Sequence, residues 1–340
     1  MTGRQMAAEM AEQPGVLAAL AGRRHEIAER VRAARPDDLC GVLLVARGSS
    51  DHAAIYGRYL LEPAVGRPVA LAAPSLQTLY GAEVDCTGYL AIAVSQSGRT
   101  PEIATVMERL GAAGARTLAV TNEADSPLAR SADTAVVLGA GTELAVPATK
   151  TLTAQTVAFA VIAEALGRAP WDPAEWDALP EAVATVLDDP EPAERVAAEI
   201  GEAPGLVAVG RGLGFAMALE AALKLKETTG LLAEGYSAAD LRHGPTVIVR
   251  EGFPVLALRL AGPAEADVAD LVADLRGRGA SVHEIAADRG AALPIPGTPG
   301  EPLSPIVAVV RAQQVALALA RLRGLDPDAP RGLSKVTPTT

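Results

Sequence analysis

Short apolar runs alternate with longer amphipathic segments along most of this chain. In the first half, the apolar runs cover residues 41–46, 69–71, 89–94, 116–120 and 135–138, and helical periodicity covers 51–61, 101–113 and about 150–166. A strand that is apolar along its whole length is buried on both faces, and helices on either side provide that cover. The pattern predicts an α/β fold in which a parallel sheet lies between two helical layers.

The second half of the chain repeats the first. Residues 205–212 (GLVAVGRG) echo residues 41–48 (GVLLVARG), and a strand at 254–260, a helix at 264–278 and a strand at 281–285 follow in the same order. We therefore predict two tandem domains, each a parallel sheet flanked by helices on both faces in a three-layer αβα arrangement.

Proline and local composition suggest the domain boundaries. Residues 1–40 form an N-terminal helical segment that Pro14 interrupts and Pro36 ends. The two predicted domains cover 41–168 and 193–325, a proline-rich acidic linker covers 169–192, and a tail without periodicity covers 326–340.

Charge and cysteine content exclude several classes of function. The net charge is -11 and no basic cluster is present to bind a phosphate backbone, so we expect no nucleic-acid partner. Cys40 and Cys86 lack metal-ligand spacing, and we expect both to be small buried residues. We find no apolar signal segment and no uninterrupted apolar run of about 18 residues, which favours a cytoplasmic protein without membrane contact.

A polar loop, residues 95–100 (SQSGRT), follows one of the predicted strands. It brings hydroxyl groups to the first turn of a helix that Pro101 is suited to begin. Hydroxyls, free backbone N–H groups and the positive end of a helix dipole together suit an anion, phosphate above all. The alternative is that these side chains only cap the helix.

Ser49 and Ser50 follow the first strand at the carboxyl edge of the same predicted sheet, where α/β proteins bind ligands. They can add hydroxyls to the same anion, and we also expect Ser50 to cap the helix that begins near Asp51. In the second repeat, residues 261–266 (AGPAEA) replace the SQSGRT loop. The loss of hydroxyls and the gain of an acid predict one anion loop per chain.

Glu220, Lys224 and Glu227 lie at positions i, i+4 and i+7 of a strongly helical segment. One interpretation is an exposed row of ion pairs. The other follows from the neighbouring leucines, which leave little of this helix to face water. A carboxylate beside an ammonium group in a partly buried groove can transfer protons.

Three further segments were weighed for chemistry. His243 lies in a loop before Gly-Pro and is the best acid–base candidate among the four histidines. The GRGLG segment at 210–214 resembles a dinucleotide fingerprint, but Phe215 stands where the third glycine is required, which argues against nicotinamide binding. Lys335 lies in a segment without helical or strand periodicity, which by itself indicates a solvated surface charge.

Five separated motifs together resemble the sugar-isomerase (SIS) domain family, which includes the isomerase half of glutamine–fructose-6-phosphate aminotransferase and stand-alone glucosamine-6-phosphate deaminase-like isomerases. They occur in the family's order along nearly the whole chain: GSS at 48–50, SQSGRT at 95–100, ELAVPATK at 143–150, the segment from Glu220 to HGP at 243–245, and PRGLSK at 330–335.

The resemblance implies which residues contact a sugar phosphate. The phosphate is expected on the polar side chains of the two loops, and the sugar near two residues of later motifs. These substrate-binding residues are Ser49, Ser50, Ser95, Gln96, Ser97 and Thr100 for the phosphate, with Val146 and Ser334 near the sugar.

The resemblance also implies the catalytic roles. Glu227 moves the proton between C1 and C2 of the open-chain sugar, and Lys224 stabilises the enediol charge. His243 opens the ring and comes from the partner subunit of a homodimer. Lys335 forms a Schiff base with the ketose, so the tail is expected to fold into the site. This chemistry needs no metal or other cofactor.

These expectations predict an amino-sugar-phosphate enzyme. Thr2 follows Met1 where a glutaminase domain begins with a nucleophilic cysteine, and only about 40 residues precede the first strand, so we expect no glutamine hydrolysis. The predicted reaction is glucosamine 6-phosphate plus water giving fructose 6-phosphate plus ammonia. The alternatives are a deglycase for phosphorylated fructose–amino acid adducts, a galactosamine-6-phosphate deaminase or isomerase and, from another class, a non-catalytic sugar-phosphate sensor.

Overall fold

The structure, a computed structural model, describes residues 2–335. Three helices precede the first strand: α1 (Arg4–Ala11), α2 (Gln13–Gly22) and α3 (Arg24–Ala34). The elements of the first sheet follow in this order: β1 (Gly41–Val45), α4 (Ser49–Val65), β2 (Val69–Leu71), α5 (Pro74–Thr78), β3 (Tyr89–Ser95), α6 (Pro101–Ala112), β4 (Arg116–Thr121), α7 (Pro127–Ser131), β5 (Thr134–Val137) and α8 (Lys150–Leu166).

The second half repeats this alternation after two additional helices. Its elements are α9 (Glu175–Leu187), α10 (Glu191–Ile200), β6 (Gly205–Gly210), α11 (Leu213–Thr229), β7 (Leu232–Ser237), α12 (Ala238–Arg242), a 3₁₀ helix (Pro245–Ile248), β8 (Pro254–Arg259), α13 (Glu265–Gly277), β9 (Ser281–Ala286), β10 (Leu293–Pro294) and α14 (Ser304–Leu322).

Within the described residues the strands form two five-stranded parallel sheets of the same topology. The orders are β2-β1-β3-β4-β5 and β7-β6-β8-β9-β10. In each sheet the second strand along the chain pairs with one side of the first strand, and the third strand pairs with its other side. The strand order therefore reverses between β1 and β3 and again between β6 and β8. The predicted α/β fold with two similar parallel-sheet repeats is confirmed.

Helices cover both faces of the first sheet. One face packs on α6 and α7, through a cluster that includes Ile103, Met107 and Leu128. At the other face α8 packs on both α3 and α4 and also contacts β4. Gly57 permits the close approach of α4 and α8, because a Cβ atom there would lie 2.3 Å from the ring of Phe159.

Helices also cover the second sheet. Helices α12 and α13 pack on one face through residues such as Leu241, Leu271 and Leu275, while α11 contacts β6, β7 and β8, with α14 packed on α11. By length and composition, α14 is the one helix within residues 2–335 that could cross a membrane, but 83% of it is buried. Its packing on α9, α10 and α11 is that of a core helix.

The chain divides into two compact units, and each is described by itself below. The first unit comprises residues 16–143 and 150–170, and the second comprises residues 2–15, 144–149 and 171–335. The N-terminal helices are therefore divided between the two units, and residues 144–149, which include Val146, belong to the second.

The predicted linker segment, residues 169–192, contains α9, which packs on α14 and whose Trp176 and Leu179 are buried. The sequence did not indicate this helix, because Pro180 lies inside it and a proline normally argues against a helix interior. Of the two cysteines, Cys86 is buried as expected, but Cys40 is exposed.

Candidate functional site

The carboxyl edge of the first sheet carries both predicted phosphate loops. Adjacent strands β1 and β3 end there, each followed by the N-terminus of a helix, α4 or α6. The strand order reverses between these two strands, which is the position where open α/β sheets form a ligand-binding crevice. The positive dipole ends of two helices meet at this edge and make it favourable for an anion.

The first loop turns at Gly48, not at a capping serine. Helix α4 begins at Ser49 after Gly48, whose φ of 59° and ψ of -135° favour glycine, and no side chain caps the helix. The N–H of Asp51 instead donates to the carbonyl of Gly48 at 2.9 Å. The expected capping role of Ser50 is therefore wrong: it lies buried within the first turn of α4.

Internal hydrogen bonds fix the second loop. The Ser95 hydroxyl accepts from the N–H of Gly98, and the Ser97 hydroxyl accepts from the N–H of Arg99, both at 3.2 Å. The carbonyl of Gln96 accepts from the N–H of Asn122 at 3.0 Å. Gly98 is required, because its φ is 59° and a Cβ atom there would lie 2.2 Å from the hydroxyl of Ser126.

The second loop leads directly into α6. Thr100 is the residue before α6, and its side chain makes no capping hydrogen bond. The capping alternative thus does not account for the hydroxyl of Thr100. Pro101 occupies the first helical position, as expected.

An ion pair that the sequence analysis missed joins the two loops. Arg47, directly after β1, binds the carboxylate of Glu102 through two hydrogen bonds, Nε to Oε2 at 3.0 Å and Nη2 to Oε1 at 2.9 Å. Glu102 is buried in the first turn of α6. The repeat in the sequence could have indicated this pair, because an arginine precedes the loop glycine in both copies. In the second copy this arginine is Arg211, which pairs with Asp267 at 3.4 Å.

In the second unit, α11 carries a buried charge cluster. The Nζ of Lys224 lies 3.4 Å from the carboxylate of Glu220 and hydrogen-bonds to the carboxylate of Glu227. The side chains of Lys224 and Glu220 are 1% and 0% exposed, whereas that of Glu227 is 22% exposed. The alternative of an exposed row of ion pairs is therefore wrong. Glu227 is the member of the cluster that solvent or a ligand can reach.

His243 is presented at the surface of the second unit. It follows α12 directly and is exposed, and its backbone N–H donates to the carbonyl of Asp240 at 3.1 Å. Among the residues that the structure describes, no hydrogen bond or ion pair connects its ring to Glu227. The neighbouring side chains of Val247 and Ile248 are exposed as well, 85% and 43%.

Val146 and the tail lie in the same unit. The N–H of Val146 donates to the carbonyl of Asp328 at 3.1 Å, which connects the Val146 segment directly to the start of the tail. Lys335 is half-buried and Ser334 is exposed. The last five residues of the predicted tail, 336–340, lie outside the described residues.

The flanks of the Val146 segment are anchored in the first unit. Glu143 accepts hydrogen bonds from the N–H and the hydroxyl of Thr151, at 3.1 and 2.6 Å, at the start of α8. The buried Lys150 donates to the carbonyl of Thr142 at 2.7 Å. These charged residues of the ELAVPATK motif therefore make local structural contacts.

The second repeat keeps the loop geometry but not the chemistry. Gly212 has a φ of 57° and a ψ of -130°, within a few degrees of Gly48. The carboxylate of Glu301 lies so close to Gly262 that a Cβ atom there would be 2.0 Å from it. Burial raises the pKa of Glu301. A carboxylate at this edge repels phosphate, in agreement with one anion loop per chain.

The glycines that resemble a dinucleotide fingerprint have a packing role. A Cβ atom on Gly210 would lie 2.4 Å from the carbonyl oxygen of Gly214, so the end of β6 and the start of α11 approach closely. Across residues 2–335, no three His, Cys, Asp or Glu side chains are grouped to hold a metal ion.

A family model described as "SIS domain" matches residues 41–165 and 199–293. The chain belongs to the SIS domain family. The two matched SIS segments each contain the first four strands of one sheet in full, so the sequence repeat and the repeated topology are two copies of one domain.

Known SIS proteins resemble this chain over most of its length. The isomerizing glutamine–fructose-6-phosphate aminotransferase of Halobacterium salinarum is 36% identical over 309 residues, which cover 86% of this chain and 51% of that protein. The chain thus spans about half the length of the curated relatives it matches. A solved structure from Silicibacter pomeroyi, assigned as a phosphosugar isomerase, is 36% identical with a TM-score of 0.86 and covers 96% of this chain and 100% of that one.

The fold is also shared with more distant proteins. The glucosamine-6-phosphate deaminase of Thermotoga maritima has a TM-score of 0.74 at 24% identity, and the match covers 96% of this chain and 100% of the deaminase. At this identity the likeness concerns the fold alone.

Proposed function

We propose that this SIS protein is a phosphosugar isomerase that deaminates an amino-sugar 6-phosphate. The reaction we favour converts glucosamine 6-phosphate and water to fructose 6-phosphate and ammonia. The observation that carries the proposal is the cluster on α11, where a fully buried Lys224 holds a partly exposed Glu227. A carboxylate that meets solvent while its ammonium partner is buried suits proton transfer at carbon.

The phosphate is proposed to bind at the carboxyl edge of the first sheet. Two helix N-termini and the hydroxyls of Ser49, Ser50, Ser97 and Thr100 supply donors, and Ser95 and Gln96 shape the loop through their own hydrogen bonds. Backbone N–H groups at helix ends bind a dianion without a dedicated cation. The positive charge of Arg47 offsets the carboxylate of Glu102 beside them.

Glu227 and Lys224 are proposed to perform the isomerisation. Glu227 removes the proton from C2 of the open-chain amino sugar and returns it to C1, while Lys224 stabilises the negative charge that develops on the C1 oxygen. The C1 oxygen takes up a proton as the C2 nitrogen loses one, and the imine left at C2 takes up water and releases ammonia, which yields the ketose.

His243 and Lys335 are proposed to act before and after this step. His243 carries the proton for opening the ring, and the exposed apolar Val247 and Ile248 beside it favour a partner subunit of a homodimer covering this loop. The amine of Lys335 condenses reversibly with the C2 carbonyl of the ketose to an imine with loss of water, and hydrolysis of that imine releases the ketose and restores the free amine. Val146 and Ser334 are proposed to contact the sugar.

The test is a substrate panel followed by a covalent trap. Purified protein is assayed for ammonia release from glucosamine 6-phosphate and galactosamine 6-phosphate, and for amino-acid release from phosphorylated fructose–amino acid adducts. Release from glucosamine 6-phosphate supports the favoured reaction. Activity only on galactosamine 6-phosphate or only on the adducts replaces it with that alternative. Binding of sugar phosphates without any turnover indicates a sensor.

Borohydride added with fructose 6-phosphate then examines Lys335. Hydride delivered to the imine carbon converts the imine to a stable secondary amine, which mass spectrometry locates on one peptide. We expect the adduct on Lys335 and none in Lys335→Arg, which keeps the charge. A wild-type enzyme that turns over substrate but gives no adduct on Lys335 would remove this residue from the mechanism.

A further inference from the structure

A network of hydrogen bonds in the second unit ties the N-terminal helix to both the Val146 segment and the tail. The carboxylate of Asp328 accepts from the N–H of Gln5 at 3.0 Å and from the N–H of Met6 at 2.8 Å, in the first turn of α1. The backbone carbonyl of the same Asp328 accepts from the N–H of Val146 at 3.1 Å. One residue therefore joins three separate stretches of chain.

Glu9, one turn further along α1, completes the connection. It is buried, and its carboxylate accepts hydrogen bonds from the N–H groups of Leu144 and Ala145, the latter at 3.3 Å. Ala145 packs in one apolar cluster with Met6 and Met10 of α1. The Val146 segment is thus held from the α1 side by a buried carboxylate and by apolar contact.

The N-terminal residues are in turn anchored to the core helix α14. Arg321 donates to the carbonyls of Thr2 and Gly3, both at 3.1 Å. Gly3 has a φ of 68°, and a Cβ atom there would lie 2.7 Å from both Leu317 and Pro327. Helix α1 therefore has a fixed position against the core, where Glu9 contacts the Val146 segment and the first turn binds the carboxylate of Asp328.

We propose that Asp328 and Glu9 are positioning residues for the reaction: through α1 they hold Val146 and the tail segment that carries Lys335 in their working arrangement. The proposal rests on the proposed function for the roles of Val146 and Lys335. Lys335 follows Asp328 by seven residues, so the hold at Asp328 limits the positions that the amine can reach. A carboxylate that accepts two backbone N–H bonds at a helix start is a strong anchor.

The two anchors have separable effects. Glu9 contacts the residues beside Val146, so its loss should act on sugar binding, whereas the carboxylate of Asp328 fixes the start of the tail on α1 and thereby the backbone carbonyl that holds Val146. We expect Glu9→Ala to raise KM about tenfold with kcat changed less than about threefold, and Asp328→Ala to lower kcat and the rate of borohydride trapping at Lys335 about tenfold. Glu9→Gln and Asp328→Asn, which keep one acceptor oxygen, should be intermediate and also serve if the alanine variants do not fold.

Glu175→Ala is the matched control. Its carboxylate also accepts two backbone N–H bonds in the same unit, from Asp172 at 3.3 Å and from Gly300 at 3.0 Å, but within the described residues it has no hydrogen bond to Val146 or to the tail segment 326–335. We expect this variant to lose stability while keeping wild-type kcat and KM. If Glu9→Ala and Asp328→Ala behave like Glu175→Ala, the positioning role is overturned.

Amide hydrogen exchange separates this inference from the proposed function. Exchange of the N–H groups of Leu144, Ala145 and Val146 should accelerate in Glu9→Ala and Asp328→Ala and stay unchanged in Glu175→Ala. Should the wild type fail to process any sugar phosphate, the proposed function fails, and the holding network is still judged by this measurement. Unchanged exchange in both variants overturns the network itself.

Discussion

Lys224 is the buried cation of the charge cluster on α11. It is buried between Glu220, which is fully buried, and Glu227, which reaches the surface. Removing a buried ion from water costs several kcal/mol, and only partners at close range compensate for that cost. The two carboxylates therefore differ: Glu220 compensates the buried ammonium from a fully buried position, whereas Glu227 is partly exposed, as its proposed role requires.

Lys224→Met should destabilise the protein strongly. The substitution leaves the buried carboxylate of Glu220 without its ammonium partner, and breaking a buried pair from one side costs about 3–5 kcal/mol. Chemical denaturation should show this loss of unfolding free energy. The double variant Glu220→Gln with Lys224→Met should recover most of it, and a single variant as stable as wild type would contradict the account.

Glu227→Gln should abolish turnover without destabilising the fold. The amide keeps the size of the side chain but cannot take a proton from carbon, so kcat should fall by at least about two orders of magnitude. Lys224 retains Glu220 as its partner, so the melting temperature should hold or rise. The control is Glu191→Gln, which removes an exposed i,i+4 pair with Arg195 and should change neither quantity. Lost stability with an unchanged rate would assign Glu227 a structural role only.

At the level of elements, the same strand–loop–helix unit is used with opposite chemistry. Gly48 and Gly212 give the loops after β1 and β6 nearly the same backbone conformation. In both repeats the arginine before that glycine pairs with an acid in the first turn of the helix after the third strand. Hydroxyls complete the edge of the first sheet, and the carboxylate of Glu301 lies at the edge of the second. The loops, and not the sheets, decide which copy can bind an anion.

The double variant Ser97→Ala with Thr100→Ala should weaken substrate binding selectively. These hydroxyls contact a dianion in the proposed complex and do not take part in bond making, so KM should rise, with a loss of about 1.5–3 kcal/mol for each contact. The fold should remain intact by circular dichroism. Thr185→Ala, which removes a hydroxyl bound to the carbonyl of Glu181 on α9, is the control. Wild-type affinity for glucosamine 6-phosphate in the double variant would refute the anion site.

At the scale of the whole molecule, two copies of one fold have diverged in charge and in accessory helices. Both copies have the same strand order, and the second unit also contains the helices α9, α10 and α14, which pack together beside the second sheet. Buried titratable groups within this scaffold make its stability depend on pH. His283 is the clearest case, because it is 3% exposed on β9, which lies between β8 and β10 in the second sheet.

Stability should fall on mild acidification through His283. Burial lowers the pKa of His283 below its ordinary 6.5, and Arg276 adds to this effect, while Glu199 at 3.4 Å opposes it. Between the folded and the ordinary value the unfolded chain binds more protons, so the free energy of unfolding falls as pH drops through 6.5. Burial raises the pKa of Asp51 and Glu301, which therefore act in the opposite direction at lower pH.

The measurement is the melting temperature between about pH 7.5 and 5.5, which brackets the ordinary histidine pKa. We expect His283→Gln to show a smaller decrease over this range than the wild type. The exposed His25 provides the control, since His25→Gln should retain the full decrease. Equal slopes in all three proteins would exclude His283 as the cause.

Assembly can be tested by mixing two inactive variants. If His243 is donated across a homodimer, subunits carrying His243→Ala and subunits carrying Glu227→Gln should regain activity when mixed. One of the two sites in each mixed dimer then has both native residues, so about a quarter of wild-type activity should return after full exchange. Verified subunit exchange without any recovery would place both residues in the site of a single chain.

The sequence by itself determined the architecture and most of the candidate residues. Strands of a parallel sheet can be recognised in the sequence as continuous apolar runs, because both of their faces are buried. The repeat of GVLLVARG as GLVAVGRG indicated the second copy of the domain. The SQSGRT loop was placed correctly because its position follows from where an apolar strand ends. Local pattern is sufficient wherever burial and backbone conformation depend on neighbouring residues.

The tertiary structure decided what depends on distant partners. Only packing could show that Lys224 is buried, that Gly48 and not Ser50 is the N-cap residue of α4, and that Cys40 is exposed. The hydrogen bonds from the N–H groups of Gln5 and Met6 to the carboxylate of Asp328 join residues more than 320 positions apart in the sequence. No periodicity records such a contact, because hydrogen bonds between remote segments depend on how the chain folds back and not on local spacing.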